Sequence, residues 1–131
     1  MLLIIPLLAH SQTIDNWQLY IGKTQIASAN SDSIPVVQVS KNDTCALRFV
    51  FATEDTAFVK RIVVMNKQRI GIDSKEIAAN ANGAIFNIQS LYRQSNGKYL
   101  NFYIVKTSAN PAKAALVRVA PKLICNLQWV Q

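Results

Sequence analysis

Two stretches far apart in the chain carry the same alternating pattern, and each holds one of its only two cysteines. In Thr44 to Ala52, TCALRFVFA, the residues Cys45, Leu47, Phe49 and Phe51 share one side of an extended backbone, and Ala46, Arg48 and Val50 share the other. In Leu123 to Val130 the same spacing groups Leu123, Cys125, Leu127 and Trp129. A two-residue period rich in aromatic and branched side chains is the pattern of a strand with one face buried. Two such strands need further sheet to cover their apolar faces, and the remaining text supplies it.

Short strand-like runs recur throughout: Trp17 to Ile21, Thr24 to Ala27, Ile34 to Val39, Phe58 to Met65, Arg69 to Ile72, Ala84 to Ile88, Tyr99 to Lys106 and Ala115 to Val119. Turn chemistry separates them, as in Gly22-Lys23, Lys41-Asn42-Asp43, Asn66-Lys67-Gln68 and Ser95-Asn96-Gly97-Lys98. Asp73 to Glu76 has the polar character of a helix start, but Ile77 to Gly83 dissolves into Asn and Gly and leaves at most one turn. Leu91 and Tyr92 are placed to plug an end of the fold from a loop. Eight or nine short strands without a substantial helix predict a single antiparallel β-sandwich, immunoglobulin-like or jelly-roll-like. With 131 residues, half of them hydrophobic, there is material for one such core and not two.

The segment before the first strand has a different character. Met1 to Ala9, MLLIIPLLA, is uninterruptedly apolar and far short of the roughly 20 residues that span a bilayer. It fits the hydrophobic region of a secretory signal, with Ala9-His10-Ser11 as a small-x-small cleavage site. The competing reading, a buried first strand, sits badly with Pro6. Residues 1–11 are therefore expected to direct export, and residues 12–131 to form the domain in a secreted or periplasmic setting. An oxidising compartment favours a bond between Cys45 and Cys125. It would close a loop of about 80 residues and stabilise by roughly 4 kcal/mol on the chain-entropy account. The pair is placed somewhat like the inter-sheet bridge of immunoglobulin domains, but no Trp lies between the cysteines and Leu123 stands where the tyrosine-corner residue would be. No family is claimed on that ground.

Catalytic chemistry is thin. The single histidine, His10, lies in the segment removed as a signal, so neither a histidine-based triad nor a histidine-ligated zinc site is expected. The glycines are isolated, the cysteines lack metal spacing, and neither metal nor cofactor is anticipated. A carboxylate-dependent glycosidase is a distant alternative, because Asp15, Asp32, Asp43, Glu54, Asp55, Asp73 and Glu76 form no distinctive pair. Asn42-Asp43-Thr44 fits the N-glycosylation acceptor pattern and serves equally as an ordinary turn.

Charge is the more informative quantity. Lys and Arg number 14 against 7 acids, a net charge of +7, which favours anionic partners. Arg48, Arg61 and Arg118 interrupt or face away from apolar strand patterns. With Tyr20, Tyr99 and Tyr103 they form the candidate ligand face, a mixed basic and aromatic surface on one outer sheet. The leading expectation is a non-catalytic binding or accessory module of the cell envelope that meets a protein partner, or a second copy, through a sheet edge. The unguarded run from Tyr99 to Val105 reads first as a mid-sheet strand, which needs no guard, and is the candidate edge only if it lies outermost. Direct binding of an anionic polysaccharide is the alternative. Nucleic acid is not the expected ligand, and no membrane span is expected.

Overall fold

The structure is a computed structural model and describes residues 16–29, 33–51, 58–77, 83–108, 110, 112 and 120–130. Nine strands are present among the described residues: β1 (Trp17–Ile21), β2 (Thr24–Ser28), β3 (Val36–Ser40), β4 (Ala46–Phe51), β5 (Phe58–Met65), β6 (Gly71–Ile77), β7 (Ala84–Asn87), β8 (Leu100–Ser108) and β9 (Lys122–Val130). A short helix, α1 (Ile88–Ser95), joins β7 to β8. The strands form two sheets, β2-β1-β4-β7 and β3-β9-β8-β5-β6. Every pairing is antiparallel except β3 with β9. The expected all-β sandwich is thus the observed fold.

Alternation explains which side chains fill the space between the sheets. Trp17 and Leu19 of β1, Leu47 and Phe49 of β4, and Phe86 of β7 project from the four-stranded sheet. Ile62 and Val64 of β5, Leu100, Phe102 and Ile104 of β8, and Cys125 and Leu127 of β9 meet them from the other. Phe49 is the hub: its ring centroid lies 5.8 Å from that of Trp17, 6.3 Å from Phe86 and 5.1 Å from Phe102. The tilted and edge-on arrangements are those aromatic quadrupoles favour.

Simple alternation breaks down at three places. In β9, Cys125 pairs with Phe102 while Leu123 pairs with Tyr103, so Ile124 is the extra residue of a bulge. Ile124 and Cys125 are both buried, and Leu123 sits beside outward Tyr103 rather than in the core as its spacing suggested. The segment from Asp73 is not a helix start but part of edge strand β6, whose inward positions opposite Val64 and Ile62 hold Asp73 and Lys75. Charge at an edge blunts unwanted pairing. Finally, α1 replaces the expected loop. The Asn87 side chain accepts a hydrogen bond from Ser90 N at 2.8 Å and caps the helix. Asn96 in the left-handed region (φ 55°) ends it, and the helix buries Ile88 and Leu91. Leu91 does plug the sandwich, from a helix rather than a loop.

The expected disulfide is absent: Cys45 and Cys125 are both free thiols. Asp43 is the physical reason. Its Oδ1 accepts from Cys45 N at 2.9 Å, so the chain bends there and β4 begins only at Ala46. Cys45 is left exposed, its sulfur against Gly22 of the β1–β2 turn, while Cys125 lies buried opposite Phe102. Residues 1–11, including His10, and the segment Ala115 to Val119 lie outside the described residues.

Candidate functional site

The residues expected to share one ligand face are divided between opposite sides of the sandwich. Arg48 on β4 and Tyr20 on β1 are cross-strand neighbours on the outside of the four-stranded sheet. The Arg48 guanidinium stacks 5.0 Å from the Tyr20 ring centroid, and the Tyr20 hydroxyl lies 3.4 Å from Gln25 Oε1. Arg61 and Tyr103 are on the outside of the five-stranded sheet. There Arg61 donates to Ser74 Oγ at 3.0 Å, and Tyr103 lies between Val63 and Leu123. Tyr99 precedes β8 at one end of the fold, and Arg118 lies outside the described residues. Arg48 and Arg61 each cover the surface of their own sheet, as long cationic stems commonly do.

Strand direction assembles a different surface. Ile21 at the end of β1 pairs with Leu47 near the start of β4, and Asn87 at the end of β7 pairs with Ala46. In the other sheet the end of β5 meets the start of β8 through Met65 and Asn101, and β3 and β9 finish together through Ser40 and Val130. The short passage from β3 to β4 ties the two sheets at this end. The connections that leave β1, β3, β5 and β7 therefore emerge at one end of the sandwich.

Those four connections carry Lys23, Lys41, Lys67, Arg69, Arg93 and Lys98, six of the 14 cations, and one acid, Asp43. Five of the six are exposed and Lys41 is half-buried. No ion pair engages any of them among the described residues. Sequence reasoning missed the clustering because each turn, taken alone, is an ordinary polar turn. The usable signal was the numbering of the turns, since alternate turns of a chain that runs up and down share an end.

The basic end is built rather than loose. In the β5–β6 hairpin, Asn66 Oδ1 accepts from both Gln68 N and Ile70 N at 2.9 Å, and Arg69 N donates to Asn66 O at 2.9 Å. This turn holds Arg69 at φ 64°, a conformation that glycine or asparagine adopts more cheaply. Behind it, Tyr92 of α1 meets Trp129 edge to face at 5.1 Å, and Trp129 Nε1 donates to Lys98 O at 2.9 Å. The Lys41 ammonium lies 5.8 Å from the Tyr92 ring centroid. Gly97, at φ 74°, passes close to the Tyr92 hydroxyl.

Among the described residues no three His, Cys, Asp or Glu side chains are grouped to hold a metal ion. Of the carboxylates, Asp43 accepts from Cys45 N in the β3–β4 turn, Asp73 accepts from Ser74 N within β6, and Asp15, Asp32, Glu54 and Asp55 lie outside the described residues. Among the described residues no helix is long and apolar enough to cross a membrane. Compared with known proteins, the chain matches no protein-family model, no curated protein and no solved structure.

Proposed function

We propose that the protein is an exported, non-catalytic binding module that engages an anionic partner through the basic end of its sandwich. The observation that carries this reading is the pooling of six cations and one acid on four anchored connections. Positive charge concentrated on one pole raises the local concentration of anionic partners and orients their approach. Spread over the whole surface, the same charge would mainly favour solubility.

Ionic strength tests the reading. Binding to dextran sulfate, and to duplex DNA as a second polyanion, is measured by titration at low and at physiological salt. The reading expects binding at low salt that weakens steeply as salt rises. No binding to any anionic surface at low salt would overturn it. Export is tested separately, by sequencing the mature N-terminus after expression with the native leader; a chain retained with Met1 intact in the cytosol would contradict it.

Association through a sheet edge does not run through β8: the unguarded run from Tyr99 to Val105 leads into and lies within the middle strand of its sheet, as the mid-sheet reading expects, and both edges of β8 are paired. The outermost strands are β2, β7, β3 and β6. Of these only β6 carries charged residues, and β3 and β7 expose Val36 and Ile85, which keeps those two edges as the places where a partner strand would add.

A further inference from the structure

We infer that the anionic partner of the basic end is a lipid bilayer surface, with the β5–β6 hairpin as the part that enters the headgroup layer; this rests on the binding role proposed for that end. Ile70, which closes the hairpin loop opposite Asn66 and follows the tip residues Lys67, Gln68 and Arg69, is 60% exposed, the most exposed large apolar side chain among the described residues. Tyr99 is 39% exposed and stands just before β8, the strand whose start pairs with the end of β5. Both residues therefore lie at the end of the sheet where β6 and β8 begin, on either side of the end of β5, with Arg69 next to Ile70 and Lys98 next to Tyr99 in sequence and Lys67 in the same hairpin loop. An exposed aliphatic group and an aromatic residue at one end of a sheet, with cations as their neighbours, match a headgroup region in each component. The cations meet phosphates, the tyrosine suits the interface, and the aliphatic group leaves water.

A linear polyanion would call on different features. It is held by a track of cations with free aromatic faces along it. Here Tyr92 and Trp129 pack on each other, and the indole N–H is already bonded to Lys98 O. Ile70 would contribute nothing to such a polymer. The hairpin's rigidity also fits insertion, because Asn66 fixes the tip through two side-chain bonds and holds Arg69 in its left-handed conformation. Strain kept at a surface residue is expected where presentation matters. A few cations and one exposed aliphatic group give reversible, peripheral attachment, with each cation worth about a fivefold gain near an anionic leaflet.

The experiment is co-sedimentation of the full chain with vesicles of phosphatidylcholine alone and of phosphatidylcholine containing about 30% phosphatidylglycerol. Dextran sulfate binding is measured in parallel. The wild-type protein is expected to sediment with the anionic vesicles and not with the neutral ones. Ile70→Ser is expected to cut vesicle binding by about fivefold or more while leaving dextran sulfate binding unchanged. Lys67→Gln combined with Lys98→Gln should weaken both. Circular dichroism confirms that the variants remain folded, as substitutions at exposed turn positions should. Binding to dextran sulfate or DNA without binding to anionic vesicles overturns the lipid inference and leaves the proposed function standing. So does an Ile70→Ser variant that binds vesicles like the wild type. Binding to none of the three at low salt overturns both.

Discussion

Phe49 and Phe102 face each other across the gap between the sheets, their ring centroids 5.1 Å apart and their planes inclined at 43°. The strands that carry them, β4 and β8, lie in the interior of their respective sheets, so this aromatic contact joins the two sheets at their centre. Phe86 meets both rings, 6.3 Å from Phe49 and 5.7 Å from Phe102, so one truncation opens a cavity bounded by the others. Phe102→Ala is expected to lower unfolding stability by about 3–5 kcal/mol, measured by urea denaturation. A loss below about 1 kcal/mol would mean that the cluster does not hold the sheets together.

Gly83 predicts a backbone defect at the same junction. It adopts φ +96°, and a Cβ there would overlap the carbonyl oxygen of Phe49. Both the dihedral and the backbone contact oppose any side chain. Gly83→Ala should cost more than about 2 kcal/mol by the same assay.

The two thiols should behave differently. Cys45 is exposed and is expected to react with a maleimide in the folded protein, whereas Cys125 reacts only after unfolding. Reductant should leave the urea midpoint unchanged, because there is no bond to break. Burial pushes the Cys125 thiol up to about 12 from its usual 9.0. The unfolded chain therefore releases this proton first. The contribution to stability is flat below about pH 9 and falls as pH rises toward about 12, reaching a loss of about 2 kcal/mol near pH 10.5. Tyrosines and lysines titrate in the same range, so the readout is the difference between wild type and Cys125→Ala across pH.

Position within the sheet decides the next outcome. Tyr103 of β8 pairs with Val63 on one side and Leu123 on the other. Proline there removes a backbone donor from a strand with two neighbours. Tyr103→Pro is expected to unfold the domain, as judged by loss of cooperative melting. A folded monomer would contradict the central placement of β8.

How much of this could be read from sequence differed by element. The runs around Trp17, Leu47 and Phe102 announced themselves because one face is buried and the other wet, which forces a two-residue period. The bulge at Ile124 was not legible, since a single extra residue shifts the phase of Leu123 without changing composition. Nor was the exposure of Cys45, which depends on the side chain of Asp43 capturing a backbone N–H two residues on. Strand β6 was legible only at its start, in Arg69 to Ile72; its continuation from Asp73 was hidden because an edge strand carries charges where a central one carries aliphatics. The candidate ligand face failed for a topological reason: Arg48 and Arg61 both point outward, but from different sheets. The basic end failed for the complementary reason, since its residues meet only when alternate turns are stacked in space.

That division sets the last prediction. If the basic end is the binding surface, cations on it govern polyanion affinity and cations on the sheet faces do not. Replacing Lys41, Lys67 and Lys98 together by Gln removes three charges from that end and leaves the fold's core untouched. Each lost contact should flatten the dependence of log K on log salt by roughly 0.7–0.9, so the triple variant should lose a slope of about 2–3 and at least tenfold in affinity at low salt. Arg48→Gln with Arg61→Gln removes two charges that lie on opposite outer faces, stacked on Tyr20 and bonded to Ser74 respectively. This control should retain the wild-type slope. Equal losses from both sets would show that only net charge matters, and the basic end would then have no special role.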